Sequence, residues 1–188
     1  MAGETRSNGT VISGELVAQS GKKYPIVRGI PRFVEKEQYA SSFGYEWNHW
    51  PRVQFEAENI GRPMEGHTTK MWERITGNSG TTLRDQTIVE FGCGPGRFLD
   101  IVRRKGGTAV GLELSAAVEA ARVNFADDPN VLIVQGDVLS PPFRGDAFDG
   151  GYSIGVLHHT PNPAKGLQRL AQVVRKDGWV ACCVYAKD

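Results

Sequence analysis

The sequence predicts an α/β fold, a doubly wound parallel sheet with helices on both faces, preceded by a small hairpin-and-helix extension. Three observations carry this. From residue 86 onward, short β-prone runs alternate with stretches of helical periodicity. The first run, Thr87-Ile88-Val89-Glu90-Phe91, ends in a glycine-rich turn that opens a helix. Before residue 80 no such alternation is present. The expected division is therefore an extension over 1–80 and an α/β domain over 81–188.

In the extension, Thr10 to Val17 reads as a strand, Gln19-Ser20-Gly21-Lys22 as a turn and Lys23 to Val27 as the returning strand. Gly29 and Pro31 end this hairpin. Tyr39, Phe43, Tyr45, Trp47, Trp50 and Phe55 form an aromatic group, placed either to pack or to cap a site. Met64 to Thr76 reads as a helix, with Pro63 before it and Gly77 as its stop. In the second half, the glycine turn leads into a helix from Arg97 to Lys105, and Thr108 to Leu112 is the second strand. Ser115 caps a helix that carries Val118, Ala121 and Phe125 on one face. Val131 to Val134 and Phe148 to Ser153 are the third and fourth strands. Asn162 caps, and Pro163 starts, a helix running to Lys176 with Leu167, Leu170 and Val174 on its apolar face. Asp177-Gly178 turns into a fifth strand, Trp179 to Tyr185. Right-handed crossovers and a glycine turn after the first strand give the order 3-2-1-4-5, with the ligand crevice between strands one and four.

The composition is that of an ordinary globular domain: 188 residues, 40% hydrophobic and 23% charged. Twenty-two basic residues balance 21 acidic ones. No field of one sign draws the protein to nucleic acid or to an anionic membrane. No apolar run approaches the roughly 20 residues of a membrane span, and Met1 to Thr10 has no apolar signal core. The cysteines are Cys93, Cys182 and Cys183, an odd number without C-x-x-C spacing, which argues against a disulfide framework or structural zinc. His49 and His67 lack ligand spacing, so no metal is expected. The expected location is the cytoplasm.

The glycine turn, Gly92-Cys93-Gly94-Pro95-Gly96, lets the chain turn tightly and lets a ligand approach the backbone. A dinucleotide fingerprint would put its third glycine at position 97, which is Arg97 here. Nicotinamide and flavin dinucleotides therefore fit less well. Glu113 ends the second strand, where a carboxylate can accept both hydroxyls of a ribose. Asp137 follows the third strand, placed to accept an adenine amine, with the Val138 N–H beside it. Taken singly, these are a tight turn, a solvated charge and a turn aspartate. Three consecutive strand ends in register with one nucleoside are harder to attribute to chance.

Val89-Glu90-Phe91-Gly92-Cys93-Gly94-Pro95-Gly96, Gly111-Leu112-Glu113-Leu114-Ser115, Gln135-Gly136-Asp137 and Phe148-Asp149 resemble the successive motifs of class I S-adenosylmethionine-dependent methyltransferases. Gly155-Val156-Leu157-His158-His159-Thr160-Pro161 and Lys176-Asp177-Gly178-Trp179 resemble that family's later segments. The resemblance covers about residues 84–186 and is greatest to the small-molecule branch called type 11 or 12. Tyr24 to Phe33, followed by Ser42 to Asn48, is similar to a leader found before some of these domains. In those relatives a zinc-ribbon-like segment with paired cysteines often comes first, whereas no cysteine here precedes Cys93.

The resemblance implies a Rossmann-like fold, S-adenosyl-L-methionine as cofactor, S-adenosyl-L-homocysteine as product and a small-molecule acceptor. It implies that Gly92, Cys93, Gly94 and Gly96 lie against the methionine part, and that Glu113 and Leu114 hold the ribose. Asp137 and Val138 would hold adenine, Glu90 would support the loop and the amino end, and Ser153 to Gly155 would face the methionyl group. Relatives continue with two further strands, six and seven, which this sequence lacks, so an incomplete acceptor pocket is expected.

Methyl transfer is a displacement in which the protein supplies alignment. A base is needed only when the acceptor must lose a proton. His158 and His159, just past strand four, are the candidates; the plainer alternative is that one stacks on the cofactor and the other is solvated. Cys93 reads as a small packing residue, since nothing local activates it. Two rival functions are a dinucleotide oxidoreductase, against which Gly96 argues, and a cofactor-binding fragment without turnover. Strand five, with Val180, Ala181 and Val184, is expected to be an apolar sheet edge. Such an edge pairs with another copy unless the N-terminal hairpin folds over and shields it.

Overall fold

The computed structural model describes residues 4–7, 10–34, 49–126 and 128–185. Four antiparallel strands come first: β1 (Thr5–Ser7), β2 (Thr10–Val17), β3 (Lys23–Val27) and β4 (Ile30–Pro31). Helix α1 (His67–Thr76) follows. Then come β5 (Thr87–Phe91), α2 (Arg97–Arg104), β6 (Thr108–Glu113), α3 (Ala117–Asn124), β7 (Val131–Gln135), β8 (Phe148–Ile154), α4 (Pro163–Val173) and β9 (Val174–Cys183).

The second sheet has the order β7-β6-β5-β8-β9, and every neighbouring pair is parallel. This is the expected 3-2-1-4-5. Strands β5, β6 and β7 are short, largely apolar runs because both faces are covered. Ile88 and the next residue, Val89, are both fully buried but belong to opposite cores. One core gathers Phe98, Leu99, Val118, Ala121 and Phe125 from α2, α3 and the turn after it, together with Ile30, Phe55 and Trp72 from the first half of the chain. The other gathers Phe91, Leu112, Val134, Leu157 and Leu170. The strand ends are in step: Glu90 lies opposite Gly111 and Tyr152, and Glu113 opposite Gln135.

Helix starts follow the local chemistry. The Asn162 side chain accepts the Lys165 N–H at 3.0 Å, with Pro163 in the first turn. The Ser115 hydroxyl accepts the Ala117 N–H at 3.2 Å, one residue ahead of the cap position.

Several boundaries differ from expectation. Helix α1 begins at His67 rather than Met64, because Gly66 before it takes a left-handed conformation. Helix α4 ends at Val173 rather than Lys176, and β9 begins at once with Val174. Asp177-Gly178 is a bulge within β9, between the pairs Phe148–Val174 and Gly150–Trp179. The bulge is pinned to β8 by an Arg175–Asp149 ion pair at 3.0 Å. It is also pinned by Gly178, where a Cβ would sit 2.6 Å from the Asp149 carbonyl oxygen. The buried side of α4 is Gly166, Leu170 and Val173, which leaves Leu167 exposed. Ile30–Pro31 extends the hairpin by a third antiparallel strand rather than ending it.

The N-terminal sheet meets the parallel sheet at the β7 edge. The Phe33 N–H donates to the Gln135 carbonyl at 2.8 Å, and Arg32 forms a parallel bridge with Gln135. The hairpin therefore does not shield β9, which lies at the opposite edge of the sheet. One face of β9 is packed by α1: Trp72 stands edge-on to Tyr152 and Trp179, at 5.9 and 6.4 Å. Val180, Val184 and Tyr185 are exposed. Of the aromatic group, Tyr39, Phe43, Tyr45 and Trp47 lie outside the described residues. Trp50 is exposed, and Phe55 is buried against Phe125 at 5.9 Å. Among the described residues no helix is long and apolar enough to cross a membrane, and no three metal-ligating side chains cluster.

Candidate functional site

A cavity of about 330 Å³ opens at the carboxyl ends of β5, β6 and β8, the switch point of the sheet. Its walls include Glu90, Gly92, Cys93, Gly94, Glu113, Leu114, Val138, Gly155 and His159, nine of the residues singled out from the sequence. Gln54, Pro95, Arg97, Phe98, Ile154, Val156, Thr160 and Tyr185 complete it.

The loop after β5 is shaped by glycine at two points. Gly92 has φ 78°, and a Cβ there would lie 2.4 Å from Val156 Cγ1. Gly96 has φ 96°, and a Cβ there would lie 2.5 Å from the Phe125 ring. The first close approach brings the end of β8 over the loop; the second lets α2 pack on the turn after α3. The Gly92 and Cys93 N–H groups both donate to the Leu112 carbonyl, at 2.7 and 3.2 Å, and hook the loop onto β6.

Glu113 completes that attachment. Its Oε2 accepts the Gly94 N–H at 3.1 Å and its Oε1 the Ser115 N–H at 2.8 Å. The carboxylate is buried yet borders the cavity. Each oxygen keeps acceptor capacity for a ligand hydroxyl.

Glu90 sits beneath, buried, and its Oε2 accepts the Tyr152 hydroxyl at 3.1 Å. Burial pushes its carboxyl well above the usual range; Tyr152 and the Arg97 guanidinium oppose this, and Glu113 adds to it. Burial, then Glu90, pushes the Tyr152 phenol up as well. Burial, then the two carboxylates, raises the Cys93 thiol, as expected of a buried packing cysteine. The Arg97 guanidinium lies 4.4 Å over the Phe98 ring, and burial lowers its pKa.

The other residues singled out stand just off the wall. The Ser153 hydroxyl donates to the Phe91 carbonyl at 2.9 Å and lashes β8 to β5. Asp137 Oδ1 accepts the Leu139 N–H at 2.8 Å and shapes the turn that presents Val138. Gly96 lies behind the loop. His159 borders the cavity, while His158 is set back between His159 at 4.0 Å and Tyr185 at 4.7 Å. Burial, then His159, lowers the His158 pKa.

Arg97, Gln54, Thr160 and Tyr185 were not anticipated. Arg97 adjoins the glycine loop, so its signal was position alone. Gln54 and Tyr185 come from distant segments and carry no local signal.

The methyltransferase domain family matches residues 89–182, half of the chain and the part that builds this cavity. A ubiquinone biosynthesis O-methyltransferase of Paracidovorax citrulli is 29% identical over 52% of this chain and 43% of its own. A tRNA U34 carboxymethyltransferase of Shewanella frigidimarina is 30% identical over 69% of this chain and 40% of its own. The chain thus spans less than half the length of these curated relatives. Among solved structures, a complex of the Haloferax volcanii Trm112 methyltransferase activator with a candidate methyltransferase aligns over 73% of this chain and 59% of that one. Its TM-score is 0.55 at 26% identity. A candidate S-adenosylmethionine-dependent methyltransferase of Methanococcus maripaludis shares the fold over 79% of this chain and 66% of its own, with a TM-score of 0.58 at 21% identity. The dinucleotide oxidoreductase reading is overturned by the family match. The sheet order, the strand ends and the matched segment agree, and the chain belongs to the class I S-adenosylmethionine-dependent methyltransferases.

Proposed function

We propose that residues 81–188 bind S-adenosyl-L-methionine in this cavity and direct its methyl group to a small-molecule acceptor entering past His159 and Tyr185. The observation that carries this reading is Glu113, a strand-end carboxylate locked to the glycine loop and bordering the cavity beside Leu114 and Val138. That donor and acceptor set suits a ribose and an adenine ring, and the cavity volume falls in the small-ligand range. When bound, the cofactor supplies a methyl group on a sulfonium, open to displacement by a nucleophile.

The chain's own residues do the rest. Glu113 accepts the ribose hydroxyls. Leu114 and Val138 enclose adenine, and Asp137 takes its amine. The loop backbone at Gly92, Gly94 and Gly96, backed by Cys93, lies along the amino-acid part, with Glu90 below it. Ser153 fixes β8 so that Gly155 faces the same part. His159 takes a proton from the acceptor at a ring nitrogen, when one must leave. His158 packs behind it as a neutral ring.

The curated relatives are named for ubiquinone and tRNA chemistry, so kinship leaves the acceptor class open. A net charge of +1 favours a small molecule over nucleic acid. Cytoplasmic residence is part of the same reading.

The test is titration calorimetry with adenosylhomocysteine and with NAD. Adenosylhomocysteine is expected to bind and NAD to give no saturable heat. Equal binding of NAD, or none of adenosylhomocysteine, refutes the reading.

A further inference from the structure

The N-terminal sheet is tied to the cavity wall through a relay of side-chain hydrogen bonds. Arg32, mostly buried, lies just past β4 where the small sheet meets β7. Its Nη1 donates to Gln135 Oε1 at 2.7 Å, and its Nη2 donates to Glu119 Oε1 on α3 at 2.6 Å. Gln135 is the last residue of β7, and its Nε2 donates to the Leu114 carbonyl at 3.1 Å in a buried hydrogen bond. Leu114 follows Glu113 and borders the cavity.

The chemistry of these groups gives the chain of bonds a direction. A guanidinium has donors only, so the Gln135 carbonyl oxygen must face Arg32 and the amide nitrogen must face Leu114. The Glu119 carboxylate fixes the guanidinium plane from the other side. The orientation of one buried amide is thus set by a residue of the extension, and that amide holds the backbone next to Glu113.

We infer that Arg32 is a positioning residue for the adenosine half of the pocket, acting through Gln135 on the Glu113-Leu114 backbone. This rests on the reading of the cavity given above. It ascribes to the extension a part in cofactor affinity rather than a stabilising contact alone.

Gln135→Glu separates the two roles. A glutamate there still accepts from Arg32 and gains an ion pair with it, so the extension stays docked. Its carboxylate cannot donate to the Leu114 carbonyl, so the second bond is lost. Adenosylhomocysteine and methylthioadenosine, which lacks the amino-acid part, are titrated into the wild-type chain, Gln135→Glu and Arg32→Ala, alongside thermal melts. Both variants are expected to weaken both ligands by the same factor, about three- to tenfold. Gln135→Glu sets a carboxylate oxygen against the Leu114 carbonyl and is expected to melt below the wild type, so the titrations are run well below both midpoints. Wild-type affinity for both ligands in Gln135→Glu overturns the inference, as does a loss confined to adenosylhomocysteine. A wild-type chain that binds neither ligand overturns the cavity reading and this inference with it; wild-type binding with an unaffected Gln135→Glu overturns this inference alone.

Discussion

Replacing Glu113 by alanine removes the acceptor of two backbone N–H groups, those of Gly94 and Ser115, held at 3.1 and 2.8 Å. Hydrogen bonds to a charged acceptor contribute about 1.5–3 kcal/mol each. Because the carboxylate borders the cavity, water enters the vacated space and satisfies part of what is lost. The expected cost is therefore near the lower end, about 2–3 kcal/mol for the pair. That is a large share of the roughly 5–15 kcal/mol that holds a domain folded. Glu113→Gln keeps one accepting oxygen and turns an NH₂ toward the other donor, so it falls between wild type and alanine. Urea denaturation followed by tryptophan fluorescence measures all three, and calorimetry gives adenosylhomocysteine binding in parallel. An alanine variant that unfolds at the wild-type urea concentration refutes the reasoning, because the loop would then be held without its carboxylate. A glutamine variant as damaged as alanine refutes it too.

Two further outcomes are expected. The Glu90 carboxyl is raised by burial, so the folded state holds its proton more tightly than the unfolded state does. Its presence therefore costs stability as pH rises from the ordinary carboxylate range toward the raised value, and costs nothing below that range. Glu90→Gln, which keeps an acceptor for Tyr152, should be more stable than wild type at pH 8, with the gain gone at pH 4. Denaturant melts at both pH values check this, and a gain that grows on acidification would contradict it. The β9 edge, with Val180 exposed, is expected to pair with a second copy, and Val180→Lys to prevent that pairing. Static light scattering over a range of concentrations decides, and a wild-type chain that stays monomeric throughout removes the proposal.

The centre of the fold was legible because its signals are local. The span predicted for β5 is the span observed, and β6, β7 and β8 each run one residue past theirs. Each is an apolar run closed by glycine, charge or proline within a few residues. The end of the chain misled because Asp177-Gly178 is a sound turn signal in isolation. Only the packing of Gly178 against Asp149 in β8 turns it into a bulge, and no window of sequence contains that contact. The same reason explains the site. Glu113 and Val138 are named by position in each βα unit, and Glu90 by the family resemblance. Tyr185 and Gln54 enter the cavity from segments whose approach depends on tertiary packing. The resemblance places Ser153 at the ligand. In the structure its hydroxyl turns to the neighbouring strand.

The docking of the N-terminal segment on β7 gives the parallel sheet a polarity across its strands. One margin is stoppered by the chain itself, where Arg32 and Phe33 occupy the hydrogen-bonding positions beside Gln135. Among the described residues, no strand pairs with the outer edge of β9. Glu113, Leu114 and Gln135 stand by the stopper, while His158 and Tyr185 stand toward β9. A strand added along β9, from this chain or another, therefore arrives on the side of His158 and Tyr185 and leaves the Glu113 side as it is. The two sides of the cavity can then vary separately: an addition beside β9 alters its wall at His159 and Tyr185 without disturbing the loop that Glu113 holds.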